Sequence, residues 1–313
     1  MHRVRAFAPA TVGNVGVGFD ILGMALEHRG DQVEAFFGDW EGVRIVGVEG
    51  DAGRLPVDVD QNTAGIAGRF VWERYCAALG AQRGVGLQVR KGLPLGSGLG
   101  SSAASAVAAA YAVHRLLGGT LAEEDLFLGC LEAEARVSGR HADNAAPAWW
   151  GGCCLVVRLE PLKIVQVRVP DGLHVALVKP KMEVSSKDAR AVLSPTLTRV
   201  ESIEEKMVLG LFLHAMYSGE LGLLRDCQTL DAVTSARLPL IPGAKQAIDA
   251  ALSVGALMSS ISGAGPSMFA LVEQAQASDV VQAMQNAFLQ KGLESDGFVS
   301  VANAPGVRLV DVE

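Results

Sequence analysis

Short runs in which apolar residues alternate with polar ones, or β-branched residues follow one another, mark Val4 to Ala8, Val33 to Phe37, Val43 to Val48 and Val85 to Arg90 as strands. Thr63 to Leu79 carries a helical pattern between the third and fourth. After Gly100 the chain changes character, to Ser101-Ser102-Ala103-Ala104-Ser105-Ala106-Val107-Ala108-Ala109-Ala110. This high helix propensity runs to Leu117 and stops at Gly118-Gly119. Thr120 and Glu123, three residues apart, have the form of a capping box and predict a second helix toward Val137, so that the pair makes a helical hairpin beside the sheet. A strand follows near Cys154 to Val157. Glu160-Pro161 and Pro170-Asp171-Gly172 then punctuate the chain and predict one unit over residues 1–160 and a second over 173–313.

The second unit reads as a strand at His174 to Val178, helices over Glu201 to Tyr217 and Ala244 to Val254, and a strand, turn and strand from Leu257 to Val272. A helix from Ala277 to Gln290 and a strand at Gly297 to Val301 complete the order β, α, ββ, α, β, which fits a ferredoxin-like α/β sandwich in an α+β protein. The sequence has no internal repeat.

Composition narrows the class. Of 313 residues, 50% are apolar and only 19% charged, which excludes a disordered or fibrous chain. The net charge of -7 supplies no field toward nucleic acid or anionic lipid, and neither is expected as a partner. No apolar run is long enough for a membrane span, and the N-terminus enters a strand pattern without a signal-peptide core, so a cytoplasmic protein is expected. Five cysteines, an odd number without C-x-x-C spacing, sit among apolar neighbours and read as buried reduced thiols. Cys153 and Cys154 would face opposite sides of one strand, which argues against a shared zinc.

The candidate chemistry lies in the glycine clusters. Lys91-Gly92-Leu93-Pro94-Leu95-Gly96-Ser97-Gly98-Leu99-Gly100-Ser101-Ser102-Ala103-Ala104 joins a strand to the N-terminus of the alanine-rich helix. Its glycines let successive N–H groups converge, and the first-turn amides of the helix add positive potential, so the string reads as a cradle for a phosphate chain. Ser101 and Ser102 add hydroxyls suited to phosphate or a metal. The chain has no Gly-Lys pair, so this is not a Walker A loop, and Ser101 stands where a dinucleotide fingerprint needs glycine. A second loop, Ala8-Pro9-Ala10-Thr11-Val12-Gly13-Asn14-Val15-Gly16-Val17-Gly18-Phe19-Asp20-Ile21-Leu22-Gly23, follows the first strand. On its residues alone it reads either as a turn region whose Asn14 and Asp20 bind backbone donors, or as one that presents an amide and a carboxylate to a ligand.

As whole strings these motifs are more specific. Pro-x-x-x-Gly-Leu-Gly-Ser-Ser-Ala resembles the phosphate loop of the GHMP kinases, the superfamily that includes galactokinase, mevalonate kinase, phosphomevalonate kinase and homoserine kinase. The N-terminal string, which has Pro-Ala-Thr where other members carry Pro-Gly-Lys or Pro-Ala-Lys, resembles the homoserine kinases. So do Ser138-Gly139-Arg140-His141-Ala142-Asp143-Asn144-Ala145-Ala146-Pro147, preceded by Glu134, and Ile261-Ser262-Gly263-Ala264-Gly265-Pro266-Ser267. The motifs span essentially the whole chain. The resemblance implies a two-domain fold, with an N-terminal ribosomal S5-like β-α-β domain that binds ATP and a ferredoxin-like C-terminal domain.

By position, the resemblance further implies an adenosine contact at Asn62, an ATP phosphate loop from Pro94 to Ala104, and magnesium ligands at Ser101 and Glu134. Oxygen donors of this kind suit a hard cation. It places Asn14, Asp20, His141, Asn144, Ser186, Arg190 and Arg237 around L-homoserine. In that arrangement the arginines fork onto the α-carboxylate while Asp20 holds the α-ammonium. Serine at 186 where the family has threonine, and alanine at 145 where it has valine, are mild departures. The implied reaction moves the γ-phosphoryl of ATP to the side-chain hydroxyl of L-homoserine, a step of threonine biosynthesis, and the relatives imply a homodimer. Its transition state is loose and relies on positioning and charge neutralisation, with Asn144, Glu134 and Arg190 as the catalytic set. Asn144 stands where mevalonate kinase-like relatives have an aspartate proposed as base, and an amide cannot take a proton at neutral pH. The expectation is therefore orientation of the hydroxyl without a side-chain base, with Asp143 pointing elsewhere. The alternatives are a kinase for another small alcohol, such as mevalonate, and a catalytically silent ligand-binding member.

Overall fold

The protein is described by a computed structural model covering residues 3–80, 82–137, 139–228 and 231–312. Ser138, the first residue of one motif quoted above, lies outside the described residues. Two long strands, β1 (Arg3–Gly13) and β2 (Leu22–Gly38), pair antiparallel, with Val4 opposite Ala35 and Gly13 opposite Gly23. β3 (Val43–Glu49), α1 (Thr63–Leu79) and β4 (Gly84–Arg90) form a βαβ unit in which the two strands run parallel, the pairing that a helical crossover permits. α2 (Ser101–Leu116) and α3 (Glu123–Val137) make the expected hairpin, and α4 (Ala145–Trp150) leads to β5 (Cys153–Leu159) and β6 (Leu162–Val167). α2 is buried nearly all round. Its alanines at 103, 104, 106, 108, 109, 110 and 112 are wholly out of water, and small side chains let it lie close to both the sheet and α1.

The second unit comprises β7 (Leu173–Pro180), α5 (Ser186–Ala191), α6 (Arg199–Ser218), α7 (Ala232–Arg237), α8 (Ala244–Ser253), β8 (Met258–Ile261), β9 (Met268–Glu273), α9 (Ala277–Leu289) and β10 (Ser295–Val301). Its antiparallel sheet has the order β10-β7-β9-β8, the ferredoxin-like arrangement. Both faces are covered, and the period of two shows which residue goes where. Ala176, Val178, Met268 and Ala270 enter the core under α8 and α9, whereas Leu173, Val175, Leu177, Phe269 and Leu271 join the larger core that continues into the first unit.

Several expectations need correction. The chain does not stay in the second unit. β11 (Arg308–Val312) returns to pair with β1 and forms one edge of the seven-stranded sheet ordered β11-β1-β2-β4-β3, with β5 paired to β2 and β6 to β5. The capping box expected at Thr120 and Glu123 is not formed, because both groups are taken by nearby aromatic residues. α3 begins at Glu123 itself, whose carboxylate accepts from Trp149 Nε1 at 3.0 Å, while the Thr120 N–H donates to the Tyr75 hydroxyl at 2.9 Å. The capping box that does form joins Thr198 and Glu201 at the start of α6. All five cysteines are free, and four are buried, but Cys76 is only half-buried. Burial pushes the thiols of Cys130, Cys153 and Cys154 up from their ordinary values.

Candidate active site

Between β4 and α2 the chain turns through Gly96, Gly98 and Gly100, all in the left-handed region, with φ of 58°, 75° and 66°. A Cβ at Gly98 would stand 2.4 Å from the Ser262 carbonyl oxygen, and one at Gly100 would stand 2.1 Å from Thr11 Oγ1. Glycine is thus required there for both conformation and space. Four consecutive loop carbonyls are held from outside. Val184 N–H donates to Gly96 (3.2 Å), Ser267 N–H to Ser97 (3.2 Å), the Ser262 hydroxyl to Gly98 (2.7 Å) and Thr11 N–H to Leu99 (3.1 Å). Among the described residues, no N–H of residues 96–103 donates a hydrogen bond. The loop is a row of open donors running into a helix N-terminus with its acceptors already occupied, which is the construction an anion requires.

The foot of the loop is fixed by a buried network. Lys91 pairs with Asp31, both side chains almost completely out of water, and Lys91 Nζ also donates to the Ser101 carbonyl (2.9 Å) and Ser105 Oγ (2.7 Å). Asp31 further accepts from Gly92 N–H (2.9 Å), Leu93 N–H (3.1 Å) and the Ser105 hydroxyl (2.8 Å). One carboxylate thereby ties β2 to the start of the loop and to the first turn of α2.

The loop forms one wall of a cavity of about 460 Å³ lined by residues from both units. Of the residues singled out in the sequence, Asn14, Asp20, Asn62, Glu134, His141, Asn144, Ser186, Arg190 and Arg237 all line it, together with Leu95, Gly96, Ser97, Gly98, Gly100, Ser101 and Ser102. Pro94, Leu99, Ala103 and Ala104 do not. Leu99, Ala103 and Ala104 are buried in the core beneath the loop, so any part they have in binding falls to the backbone. Asn62 is the N-cap of α1. Its Oδ1 accepts from Ala64 N–H (3.0 Å) and its Nδ2 donates to the Pro56 carbonyl (2.8 Å), so its amide already serves the helix end.

Beside the phosphate loop, the Ser101 hydroxyl donates to the Leu93 carbonyl at 3.4 Å, which leaves its oxygen lone pairs able to accept, and the buried Glu134 brings a carboxylate to the cavity wall. Hard oxygen donors at a phosphate cradle fit Mg2+.

Elsewhere on the cavity wall, charged side chains are held by specific partners. Asp20, with backbone φ of 60°, receives a two-pronged salt bridge from Arg190 (2.8 and 3.2 Å). Asn14 orients this corner by accepting from Asp20 N–H through Oδ1 (3.0 Å) and donating through Nδ2 to the Gly263 carbonyl (3.0 Å). Arg237, at the end of α7 and 3% exposed, donates to the carbonyls of Ala189 (3.0 Å) and Gly263 (2.9 Å). It makes no ion pair among the described residues. Burial, and then the neighbouring Arg190 charge, pull Arg237 below the usual arginine value. The Phe19 ring is shared by the two guanidiniums, whose carbons lie 5.5 Å (Arg190) and 5.3 Å (Arg237) from its centroid.

His141 Nδ1 lies 2.8 Å from Asp143 Oδ1. Burial works against the imidazolium, but the hydrogen bond to Asp143 and the charges of Asp143, Asp20 and Glu134 outweigh it and raise the pKa to about 9. The Asp143 carboxylate also accepts from Asn14 N–H (3.2 Å) and Asn144 Nδ2 (3.3 Å). Asn144 Oδ1 in turn accepts from the Thr11 hydroxyl at 2.8 Å. Sequence reasoning passed over Thr11, Phe19 and Lys91, although all three lie inside quoted motifs. It also missed Arg54 and Glu183, which face the cavity and bridge its two sides at 2.6 and 2.9 Å, and no motif marks either of them.

Residues 66–152 match the model described as GHMP kinases N terminal domain, and residues 212–290 match GHMP kinases C terminal. Fold, loop and cleft together define a GHMP kinase. A homoserine kinase of Xanthomonas campestris pv. campestris (strain B100) is 39% identical over 312 residues, 99% of this chain and 95% of that protein. One from Chlorobium phaeovibrioides is 36% identical over 99% of this chain and 100% of its own length. The crystal structure of homoserine kinase from Cytophaga hutchinsonii superposes with a TM-score of 0.93 at 39% identity, covering 99% of this chain and 98% of that one. The chain belongs to the homoserine kinase family.

Proposed function

We propose that the protein transfers the γ-phosphoryl group of ATP to the side-chain hydroxyl of L-homoserine, giving O-phospho-L-homoserine and ADP. The observation that carries this reading is the phosphate cradle, open donors with occupied carbonyls, in one cavity with a buried guanidinium that has no carboxylate partner among the described residues. The cradle suits a triphosphate, and Arg237 suits the α-carboxylate of an amino acid. Homoserine is the substrate named for relatives similar along nearly their whole length.

In this reading the first unit, residues 1–160 joined by β11, holds ATP, while the second, from residue 173, brings Arg190 and Arg237 to the acceptor. Ser101 and Glu134 would hold Mg2+, which when bound neutralises phosphate charge. The loop amides bind the phosphates, and Asn62 marks the nucleoside end. Asn14, Asp20, His141 and Ser186 surround the amino acid. Asn144, its amide fixed through Thr11 and Asp143, orients the hydroxyl in line with the phosphoryl group. Against the expectation that it points elsewhere, Asp143 lines the cavity, but its carboxylate oxygens are already engaged by His141, Asn14 and Asn144, so it is not free to take the acceptor's proton. The acceptor proton therefore leaves late, to phosphate or water, and orientation and charge neutralisation supply the acceleration. The same reading carries a cytoplasmic homodimer.

The test is ADP release by the purified protein with magnesium-ATP and L-homoserine, run beside mevalonate, galactose and a blank without acceptor. Homoserine-dependent turnover well above the others is expected. Turnover on another alcohol, or on none, refutes the reading.

A further inference from the structure

Among the described residues, six cationic side chains line the cavity, and five of them have partners. Arg54 is paired with Glu183, His141 with Asp143 and Arg190 with Asp20, while Arg237 donates to two backbone carbonyls. Lys91, at the foot of the phosphate loop, has three N–H donors and spends them on Asp31, the Ser101 carbonyl and Ser105 Oγ. It fixes the loop and has no donor left for a phosphate. The sixth cation is Lys187, which is exposed and makes no hydrogen bond or ion pair among the described residues.

The position of this ammonium gives it a task. The segment that leads into α5 lies against the phosphate loop: Val184 N–H donates to the Gly96 carbonyl at 3.2 Å, and a Cβ at Gly96 would stand 3.3 Å from Glu183 Cβ. Near the other end of α5, Arg190 bonds Asp20 in the corner assigned to the acceptor. Lys187 falls midway between Val184 and Arg190 in the chain, and it shares one side of the helix with Arg190. It therefore stands between the loop that cradles the phosphates and the corner that holds the acceptor, where a transferred group must cross. The loop itself offers N–H dipoles and no full charge, whereas the γ-phosphoryl oxygens stay charged through a loose transition state.

We propose that Lys187 is a catalytic residue: its ammonium binds the γ-phosphoryl oxygens of ATP and stays with that group as it moves to the acceptor. The assignment rests on the proposed function. In the step, the bond from phosphorus to the ADP oxygen breaks, the bond to the homoserine hydroxyl oxygen forms, and the hydroxyl proton leaves to phosphate or water. Lys187 keeps its own proton throughout. A point charge on a flexible four-carbon stem can follow the group, which a fixed backbone amide cannot.

Two nucleotides separate the γ-phosphate from the rest of the molecule, since AMP-PNP carries one and resists transfer, and ADP lacks it. Lys187→Met should weaken the binding of AMP-PNP with Mg2+ by about tenfold or more, the loss expected for a hydrogen bond to a charged group, and leave ADP within about twofold of wild type. In turnover, kcat/KM for ATP should fall by about as much, with the KM for homoserine little changed, and Lys187→Arg should recover most of both losses. A lysine that is merely solvated predicts no distinction between the nucleotides, so equal effects on AMP-PNP and ADP, or none, overturn the assignment.

A measurement on wild type guards against a variant that misfolds. Lysines are acetylated with acetic anhydride and read by peptide mass spectrometry, with Lys245 of α8, outside the cavity, as the reference. Lys187 should be protected by AMP-PNP with Mg2+ and not by ADP. Homoserine turnover without that protection defeats the assignment of Lys187 and leaves the proposed function standing. Protection without homoserine turnover defeats the acceptor reading and leaves Lys187 at the phosphates, and the absence of both defeats both.

Discussion

The charge state of His141 offers the most quantitative check on the site. The pKa of about 9, against an ordinary 6.5, means that the folded protein binds this proton more tightly than the unfolded chain does. A raised value contributes stability in full below about pH 6.5, and that stability fades as pH climbs through about 9. At about 1.4 kcal/mol for each tenfold change in proton affinity, the rise is worth at most about 3 to 4 kcal/mol. The side chain is 12% exposed, so solvent screening takes little from that figure. His141→Gln keeps a hydrogen-bond donor for Asp143 and cannot be protonated. Urea unfolding of both proteins between pH 6 and 10 should show wild type losing up to about 3 to 4 kcal/mol relative to the variant, mostly between pH 7 and 9.5. Taking the difference between the proteins cancels the cysteines and lysines that titrate over the same range. A difference that stays constant with pH would refute the assignment of a protonated His141 paired to Asp143.

Gly100→Ala forces a Cβ to within 2.1 Å of Thr11 Oγ1 at a φ of 66°; it should cost more than about 1 kcal/mol in thermal unfolding and raise the KM for ATP at least about tenfold. Lys91→Met leaves the Asp31 carboxylate buried without its cation and should destabilise by about 3–5 kcal/mol in denaturant titrations, with much of the loss recovered when Asp31 is also made apolar. Asn144→Ala should lower kcat while leaving the KM for ATP little changed. Asn144→Asp should fail to raise turnover at any pH, and an increase would mean that a base at this position helps the reaction.

Residues that act through local chemistry were legible in the sequence. The phosphate loop was readable because three left-handed turns and close contacts at two of them admit only glycine, and because an alanine-rich helix follows at once. The helix expected over Thr63 to Leu79 has those same bounds in the structure, as α1. What escaped depended on partners distant along the chain. β2 spans Leu22–Gly38, but only Val33 to Phe37 shows the pattern of a strand. Its first half, which includes Gly23, His28 and Gly30, is held by pairing with β1 and β5 and not by its own propensity. β11 is a strand because an edge of β1 lies open beside it, a fact that no local window contains.

The site divides along the same line. Motifs identified Asp20, Arg190 and Arg237 as ligand-facing residues, and all three line the cavity. No motif indicates that Arg190 is engaged by Asp20 while Arg237 donates to two backbone carbonyls and makes no ion pair among the described residues. Two arginines that look equivalent in the sequence thus differ in what a ligand must displace to reach them. That difference arises from the fold, because α5 carries Arg190 toward the β1–β2 loop, whereas Arg237 ends α7 within reach of the carbonyls of Ala189 and Gly263. A recognition motif specifies which charges meet a substrate, and the surrounding backbone determines which of them are already spoken for.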